Sequence, residues 1–567
     1  NTHNTHTTHT RRHHTRDTMS HRYTRAARSR AKPGNRVDRE ASRHHGDEFD
    51  ELVPNTGHLT VVPVRTYVPH VPQVFDEFKS RIEPSSRQNQ LGPIIEGAEP
   101  VITDSKSFDS YLAAFDKRSN SQPDDDDDCT EAFKDSARRL WLRVLPTALP
   151  EWDVDEVATE RWLAKMDPVK QTRMKKALLE LFDCESDPGY LGEKTLSVKV
   201  EALLKRYDNK WAPRLIYEGN DHFNALTGPV CMLLMERVDA TMAKQPIGPV
   251  AYRTAYKRQG PELVSHLAEA HFENRHVAEG DFSANDLRQR KFATELFGHV
   301  AELHGAPSWF IRLLADMRKF RVKSLVHGHR AMLANQLPTG TTITTVRNSV
   351  WNATIESCYM AATGNSGRAL ILGDDFLGVF KHKVNCSHWS EWVEVNTRMK
   401  LTGCTPELQG AATFLSRRLL VDSDTPCMMP KLGKALARFN ARTSKNEAIS
   451  DSSYMAGKAL SYAYEFRHFP IFRDLFLMRY RAEGGYAVVD RTELSWYTRT
   501  SGVDVDRLEH AIVNESVVIS EDETREFLMD AYGDTFGIVD ALAIAKRIVL
   551  CSDLSSVCAP DELSIDW

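Results

Sequence analysis

The chain has 567 residues, 41% of them hydrophobic and 27% charged, and a formal net charge of −5 at pH 7. This length exceeds one ordinary core and predicts two or three structural units, while the composition excludes a wholly disordered or collagen-like chain. No run of about 18 apolar residues occurs, so no membrane-spanning helix is expected. Nine cysteines with no Cys-x-x-Cys pair argue against a disulfide framework or a zinc knuckle, and the compartment reads as reducing and intracellular.

Charge is unevenly spread. Residues 1–45 hold eleven Arg or Lys against Asp17, Asp38 and Glu40, a net of +8, which leaves −13 on the rest. With its low-complexity Asn-Thr-His opening, residues 1–50 are expected to form a disordered basic arm, a polyanion-binding tail or simply a solvated one. Met19 is the first methionine, so translated sequence upstream of the true start is an alternative reading of residues 1–18. The eight histidines up to His45 lack acidic or cysteine partners at ligand spacing, and no metal site is expected there.

Residues 51–135 read as an N-terminal extension. Prolines break its β-like patches, such as Leu59–Val64, and five consecutive carboxylates at Asp124–Asp128 repel one another into an exposed loop. Helical periodicity then dominates to about residue 190, through Leu163, Met166, Met174, Leu178 and Leu181. Next come Lys199, Glu201, Lys205, Lys210 and Arg214, with strand-forming residues between them. Cations at this spacing suit phosphates, and equally a solvated charged strand.

Three further segments carry the chemistry. His276–Asp281 reads as a strand ending on a carboxylate, with Asp286 five residues on at the start of an amphipathic helix that it could merely cap. Thr339-Gly340 opens a threonine-rich loop that leads into a helix. Thr344 falls at its start, and Asn348 and Asn352 share one face. In Leu370-Ile371-Leu372-Gly373-Asp374-Asp375-Phe376-Leu377, two apolar runs flank Gly-Asp-Asp, which predicts a hairpin with carboxylates at its tip. Segments 453–482, 521–533 and 538–550 place apolar residues at three- and four-residue intervals, as expected of a helical C-terminal unit.

In their order, these pieces resemble the motifs of viral RNA-directed RNA polymerases of positive-strand RNA viruses, with a look of the tombusvirus- and nodavirus-like groups. The cation-rich segment is similar to motif F, Asp281-x-x-x-x-Asp286 to motif A, Thr339-Gly340-x-x-x-Thr344-x-x-x-Asn348 to motif B with Thr for the usual Ser, and Gly373-Asp374-Asp375 to motif C. The resemblance implies an α+β right-hand polymerase fold of fingers (136–275, with 303–338 inserted later), palm (276–430, small antiparallel sheet) and helical thumb (431–567). It further implies that Asp281 and Asp374 hold two Mg²⁺ ions, Mn²⁺ being the alternative, with Asp375 in support. Asp286, Asn348 and Thr344 would read the ribose within the motif that contains Thr339 and Gly340, and Lys199, Lys205, Lys210 and Arg214 would meet the triphosphate.

The implied partners are a single-stranded RNA template, nascent RNA, ribonucleoside triphosphates and other replication proteins. The implied location is the host cytoplasm, with membrane attachment only peripheral or through partners. The family often places a general-acid Lys after the helix that follows motif C, where this chain offers only Lys400. Three other classes compete: a reverse transcriptase, another two-metal enzyme such as a nuclease, and a non-enzymatic RNA-binding or particle protein. The third would need regularly spaced strands after the basic arm, where helical periodicity stands instead.

Overall fold

The computed structural model describes residues 90–103, 106–115, 128–183, 191–204, 213–258, 260–269, 276–334, 336–404, 412–420, 426–443, 448–489, 494, 505–514, 518–533 and 535–566. The basic arm, most of the extension, Lys205 and Lys210 lie outside the described residues.

In chain order, strands β1 (Ile94–Ile95) and β2 (Pro100–Ile102) precede helices α1 (Phe108–Phe115), α2 (Glu131–Val144), α3 (Glu156–Leu163) and α4 (Pro168–Asp183). Strands β3 (Lys194–Val198), β4 (Ala202–Leu204) and β5 (Leu215–Gly219) lead to α5 (Asp221–Lys244), β6 (Val250–Thr254), α6 (Gly260–Ala268) and β7 (His276–Phe282). Next come α7 (Asn285–Arg288), α8 (Lys291–Leu303), α9 (Ser308–Asp316), the pair β8 (Lys319–Lys323) and β9 (Arg330–Ala334), and α10 (Thr344–Thr363). The hairpin β10 (Gly367–Leu372) and β11 (Asp375–Phe380) is followed by α11 (Cys386–Thr397), β12 (Leu401–Cys404), β13 (Thr413–Phe414), β14 (Arg417–Leu420) and β15 (Cys427–Pro430). The chain finishes with α12 (Leu432–Phe439), α13 (Asp451–Glu465), α14 (Pro470–Ala482), α15 (Val505–Asn514), α16 (Glu521–Tyr532), α17 (Ile538–Leu550) and β16 (Ser556–Val557).

Two larger sheets organise the described residues between 194 and 404. The central one has the order β12-β7-β11-β10-β6, antiparallel except for β6 beside β10. Both its faces are covered. Ala369, Ile371 and Phe376 pack with Trp351 and Trp389 on one side, while Leu370, Leu377 and Val379 pack with Leu263, Leu267 and Phe414 on the other. That explains the unbroken apolar runs around Gly-Asp-Asp, because a strand buried on both faces cannot alternate with polar residues. The second sheet, β5-β3-β8-β9, takes two strands from the stretch between Asp286 and Thr339 and buries Leu196, Tyr217, Phe320 and Leu333 with α1.

The C-terminal helices share a separate core that includes Phe439, Phe466, Phe472 and Phe476. The helical character of 453–482 divides at Phe466–Phe469 into two helices. Pro470 starts the second of them, since proline cannot continue a helix from within but suits its first turn. Residues 90–103 tie the parts together: β1 pairs with β16 at the C-terminal end, and β2 pairs with β4. Among the described residues no helix is long and apolar enough to cross a membrane.

Helix α10 runs through the interior, with Val346 through Met360 all buried. Its polar residues therefore need partners. Glu356 is fully buried, and neither of its oxygens is in a well-formed hydrogen bond. Burial raises its pKa well above the usual range, against a smaller opposing pull from the nearby Trp389 indole. The folded protein therefore holds a proton that the unfolded chain releases above about pH 4.5, and stability falls as pH rises from there. Replacing Glu356 with Gln removes this penalty. Relative to the parent, the variant should gain up to about 1.4 kcal/mol per pH unit above pH 4.5. Thermal melts of both proteins from pH 4 to pH 8 measure it, and a difference that does not change with pH would contradict the assignment.

Candidate active site

The hairpin β10–β11 turns in two residues, Gly373 and Asp374, with Leu372 paired to Asp375. Gly373 takes φ +64° while Asp374 stays in the ordinary region, the pattern of a type II′ turn with glycine first. The turn is also held from the side by α10. Ser349 Oγ accepts the Gly373 N–H (2.8 Å), and Asn352 Nδ2 donates to the Gly373 carbonyl (2.7 Å). The polar face foreseen on this helix is thus divided. Asn352 fixes the turn, and Asn348 one helical turn earlier serves a different carboxylate.

Strand β7 lies antiparallel to β11 with Gly280 opposite Phe376. In that register the next positions, Asp281 and Asp375, stand across from one another, and such neighbours have Cα atoms roughly 5 Å apart. Asp281, Asp374 and Asp375 therefore meet at one end of the sheet. Solvent reaches all three residues. Protein still surrounds the Asp375 carboxyl closely enough that burial, followed by the charges of Asp374 and Asp281, raises its pKa to about 7. The lysines Lys434 and Lys431 oppose that rise from the start of α12. As placed, no three His, Cys, Asp or Glu side chains among the described residues form a ready ligand cage. What the backbone supplies is the adjacency of the three residues.

After β7, Ala284 takes the left-handed conformation (φ 53°), strained for a non-glycine residue, and swings the chain into α7. This turn separates the two motif-A carboxylates. Asp281 stays at the sheet end, while Asp286 is largely enclosed, accepting from the Thr339 hydroxyl and from Asn348 Nδ2 (2.7 Å). Burial raises the Asp286 pKa, the two hydrogen bonds counter it, and Asp374 adds to it. Asp286 is therefore more than a helix cap, and its main-chain carbonyl accepts from Leu337 N–H (2.9 Å).

The Thr339–Gly340 loop is wedged against the second sheet. Tyr217 N–H donates to the Thr339 carbonyl (2.8 Å), and Gly340 has φ +94° with Ile216 Cγ2 2.7 Å from where a Cβ would sit. Only glycine meets both conditions. Thr344 supports the loop from inside, its hydroxyl donating to the Pro338 carbonyl (3.1 Å).

Between β3 and β5, Lys199 N–H donates to the Arg214 carbonyl (2.8 Å) across the base of the segment that holds Lys205 and Lys210. Glu201 takes both cations: Arg214 pairs with it through two nitrogens, and Lys199 Nζ stands 3.4 Å away. Arg214 also feels the charge of Asp374, so the side chain lies within electrostatic reach of the hairpin turn. Lys434 joins the site without a role foreseen from the sequence, its pKa lowered to about 8 by burial and then by Arg438, Lys431 and Arg214. Nothing local marks it, because a lysine on a short amphipathic helix is ordinary. Lys400 lies at the start of β12, where its carbonyl accepts from Ser283 N–H (2.8 Å).

Residues 73–488 match the family model described as RNA dependent RNA polymerase. No match emerges among curated proteins. Among solved structures, the chain is similar to the RNA-dependent RNA polymerase of a human picorbirnavirus at 12% identity and TM-score 0.51, over 92% of this chain and 96% of that one. It is also similar to the insertion loop deletion mutant of that polymerase, at 13% identity and TM-score 0.50, over 82% of this chain and 92% of that one. At such identities the likeness speaks for the fold, and the fold is the α+β right hand, with a small, mainly antiparallel sheet and a helical C-terminal part.

Proposed function

The chain belongs to the RNA-dependent RNA polymerases, enzymes that join nucleotides on an RNA template, and we propose that it replicates a viral genome at the Gly373–Asp375 hairpin. The observation that carries this reading is the register that sets Asp281 beside Asp375 while the adjoining turn carries Asp374. The residues fit divalent cations: three carboxylates stand on adjoining backbone positions, and burial, followed by the charges of Asp374 and Asp281, raises the pKa of Asp375. Asp281 and Asp374 would hold Mg²⁺, or Mn²⁺ in its place, with Asp375 in support. Two such ions stabilise the attacking 3′-oxygen and the leaving pyrophosphate.

The chain's own groups do the rest. Lys199 and Arg214, joined by Lys205 and Lys210, would meet the triphosphate, and Glu201 keeps the first two aligned until phosphate competes for them. Lys434 and Arg438 add positive charge from the thumb side. Asp286 and Asn348 would hydrogen-bond the ribose 2′-hydroxyl, with Thr339 and Thr344 fixing the loop that Gly340 allows to approach. A deoxyribose would forgo the bonds that a 2′-hydroxyl makes to these enclosed groups, a loss that disfavours DNA synthesis.

Incubating the protein with end-labelled RNA, Mg²⁺ and the four ribonucleoside triphosphates tests the reading. Lengthened strands are expected. Shortened strands would identify a nuclease, and equal use of deoxyribonucleotides a reverse transcriptase.

A further inference from the structure

Asn348 reaches Asp286 with one amide atom, and its other amide atom is held too. Gln289, an extended residue between α7 and α8, is fully buried and lies beside two consecutive residues of α10. Arg347 Nε donates to Gln289 Oε1 (2.7 Å), Gln289 Nε2 donates to Asn348 Oδ1 (2.6 Å), and Asn348 Nδ2 donates to Asp286 Oδ1 (2.7 Å). Arg347 and Asn348 are themselves 5% and 3% exposed, so water does not compete for these bonds.

We propose that Gln289 and Arg347 set the sugar specificity of the site by fixing which atoms Asn348 presents. The proposal rests on the reading that Asp286 and Asn348 meet the ribose. An amide can be turned over at little cost when its surroundings are indifferent, but this chain of bonds has fixed ends. A guanidinium only donates, and a carboxylate only accepts. Two amides in series between them have a single arrangement that satisfies every bond, with both carbonyls facing Arg347 and both NH₂ groups facing Asp286. Asn348 therefore spends its oxygen on Gln289 and keeps its second N–H available. A 2′-hydroxyl, which both donates and accepts, can bond to Asp286 and Asn348 together.

The end of the chain is anchored as well. Burial lowers the Arg347 pKa to about 10 while the charge of Asp286 supports it, so the guanidinium stays charged at neutral pH and cannot reverse the series. Gln289 and Arg347 are positioning residues, acting on the sugar only through Asn348.

Single-nucleotide incorporation kinetics test this, with each ribonucleotide compared against its deoxy counterpart. In Gln289→Met, which keeps the volume and loses the bonds, ribonucleotide kcat/KM should fall about ten-fold while the deoxyribonucleotide value stays, a split that general loss of folding does not produce. Gln289→Glu should lose more discrimination, because it faces Asn348 with a second acceptor. Arg347→Lys, which keeps a donor, should retain discrimination that Arg347→Met loses. Asn348→Ala separates the two levels. If it loses discrimination while the Gln289 variants keep the parent's, or if the two Arg347 variants discriminate equally, the relay is overturned and the ribose reading stands. If Asn348→Ala discriminates as the parent does, the ribose reading itself falls.

Discussion

Asp374→Asn should abolish RNA extension, by roughly 10³-fold or more, without lowering the melting temperature. The expectation of an intact fold follows from how the turn is built. Its shape comes from Gly373 at φ +64° and from the bonds of Ser349 and Asn352 to the Gly373 main chain, none of which involves the Asp374 carboxylate. Asp374 is exposed, and asparagine is at home in a tight turn. What the substitution removes is a full negative charge at the point where β7, β10 and β11 converge, felt by Asp375, Asp286 and Arg214. Extension assays paired with thermal melts check both halves of the expectation. An active Asn variant would remove the copying mechanism proposed for this hairpin, and an inactive but unfolded one would show that the carboxylate is structural.

How far such a site can be read from residues depends on the range of the interactions that build it. The Gly-Asp-Asp hairpin is legible because turn chemistry is local: a glycine that can take positive φ, placed between two apolar runs, specifies both the turn and its direction. That Asp281 stands beside Asp375 depends on pairing across about a hundred residues, and it enters the sequence reading only through the resemblance to polymerases. The asparagines of α10 are recognisable as polar residues on one helical face, but their different duties depend on what two other elements bring to that face. Gln289 and Lys434 carry no signal at all, since each is ordinary for its own segment. Residues 90–103 read as irregular for a related reason. Strands of two and three residues, such as β1 and β2, are too short to show a period, and their order comes from β16 and β4 far along the chain.

The same long-range logic identifies where the molecule is most vulnerable away from its chemistry. Asp566 should be among the most costly residues to truncate, with Asp566→Ala losing about 3–5 kcal/mol. Its side chain is fully buried and takes three bonds: from Arg418 (2.5 Å), from Gly433 N–H (2.8 Å) and from the Tyr532 hydroxyl (2.8 Å). Arg418 is itself 1% exposed on β14, with its guanidinium 4.5 Å from the centre of the Tyr532 ring, and Tyr532 in turn accepts Leu432 N–H (2.9 Å). A carboxylate at the first turn of α12 also meets the positive end of that helix. Removing it strands a buried guanidinium, two main-chain or hydroxyl donors and the helix start in one step. The double variant Arg418→Met with Asp566→Leu should recover much of the loss, because a buried ion pair contributes less than the penalty of breaking it from one side. Denaturant unfolding of the two single variants and the double closes the cycle, and simple additivity would contradict the coupling. Since α12 also carries Lys434 toward Asp375, the single variant should raise the KM for nucleotides in the temperature range where it remains folded, whereas the double variant should return it toward the parent value.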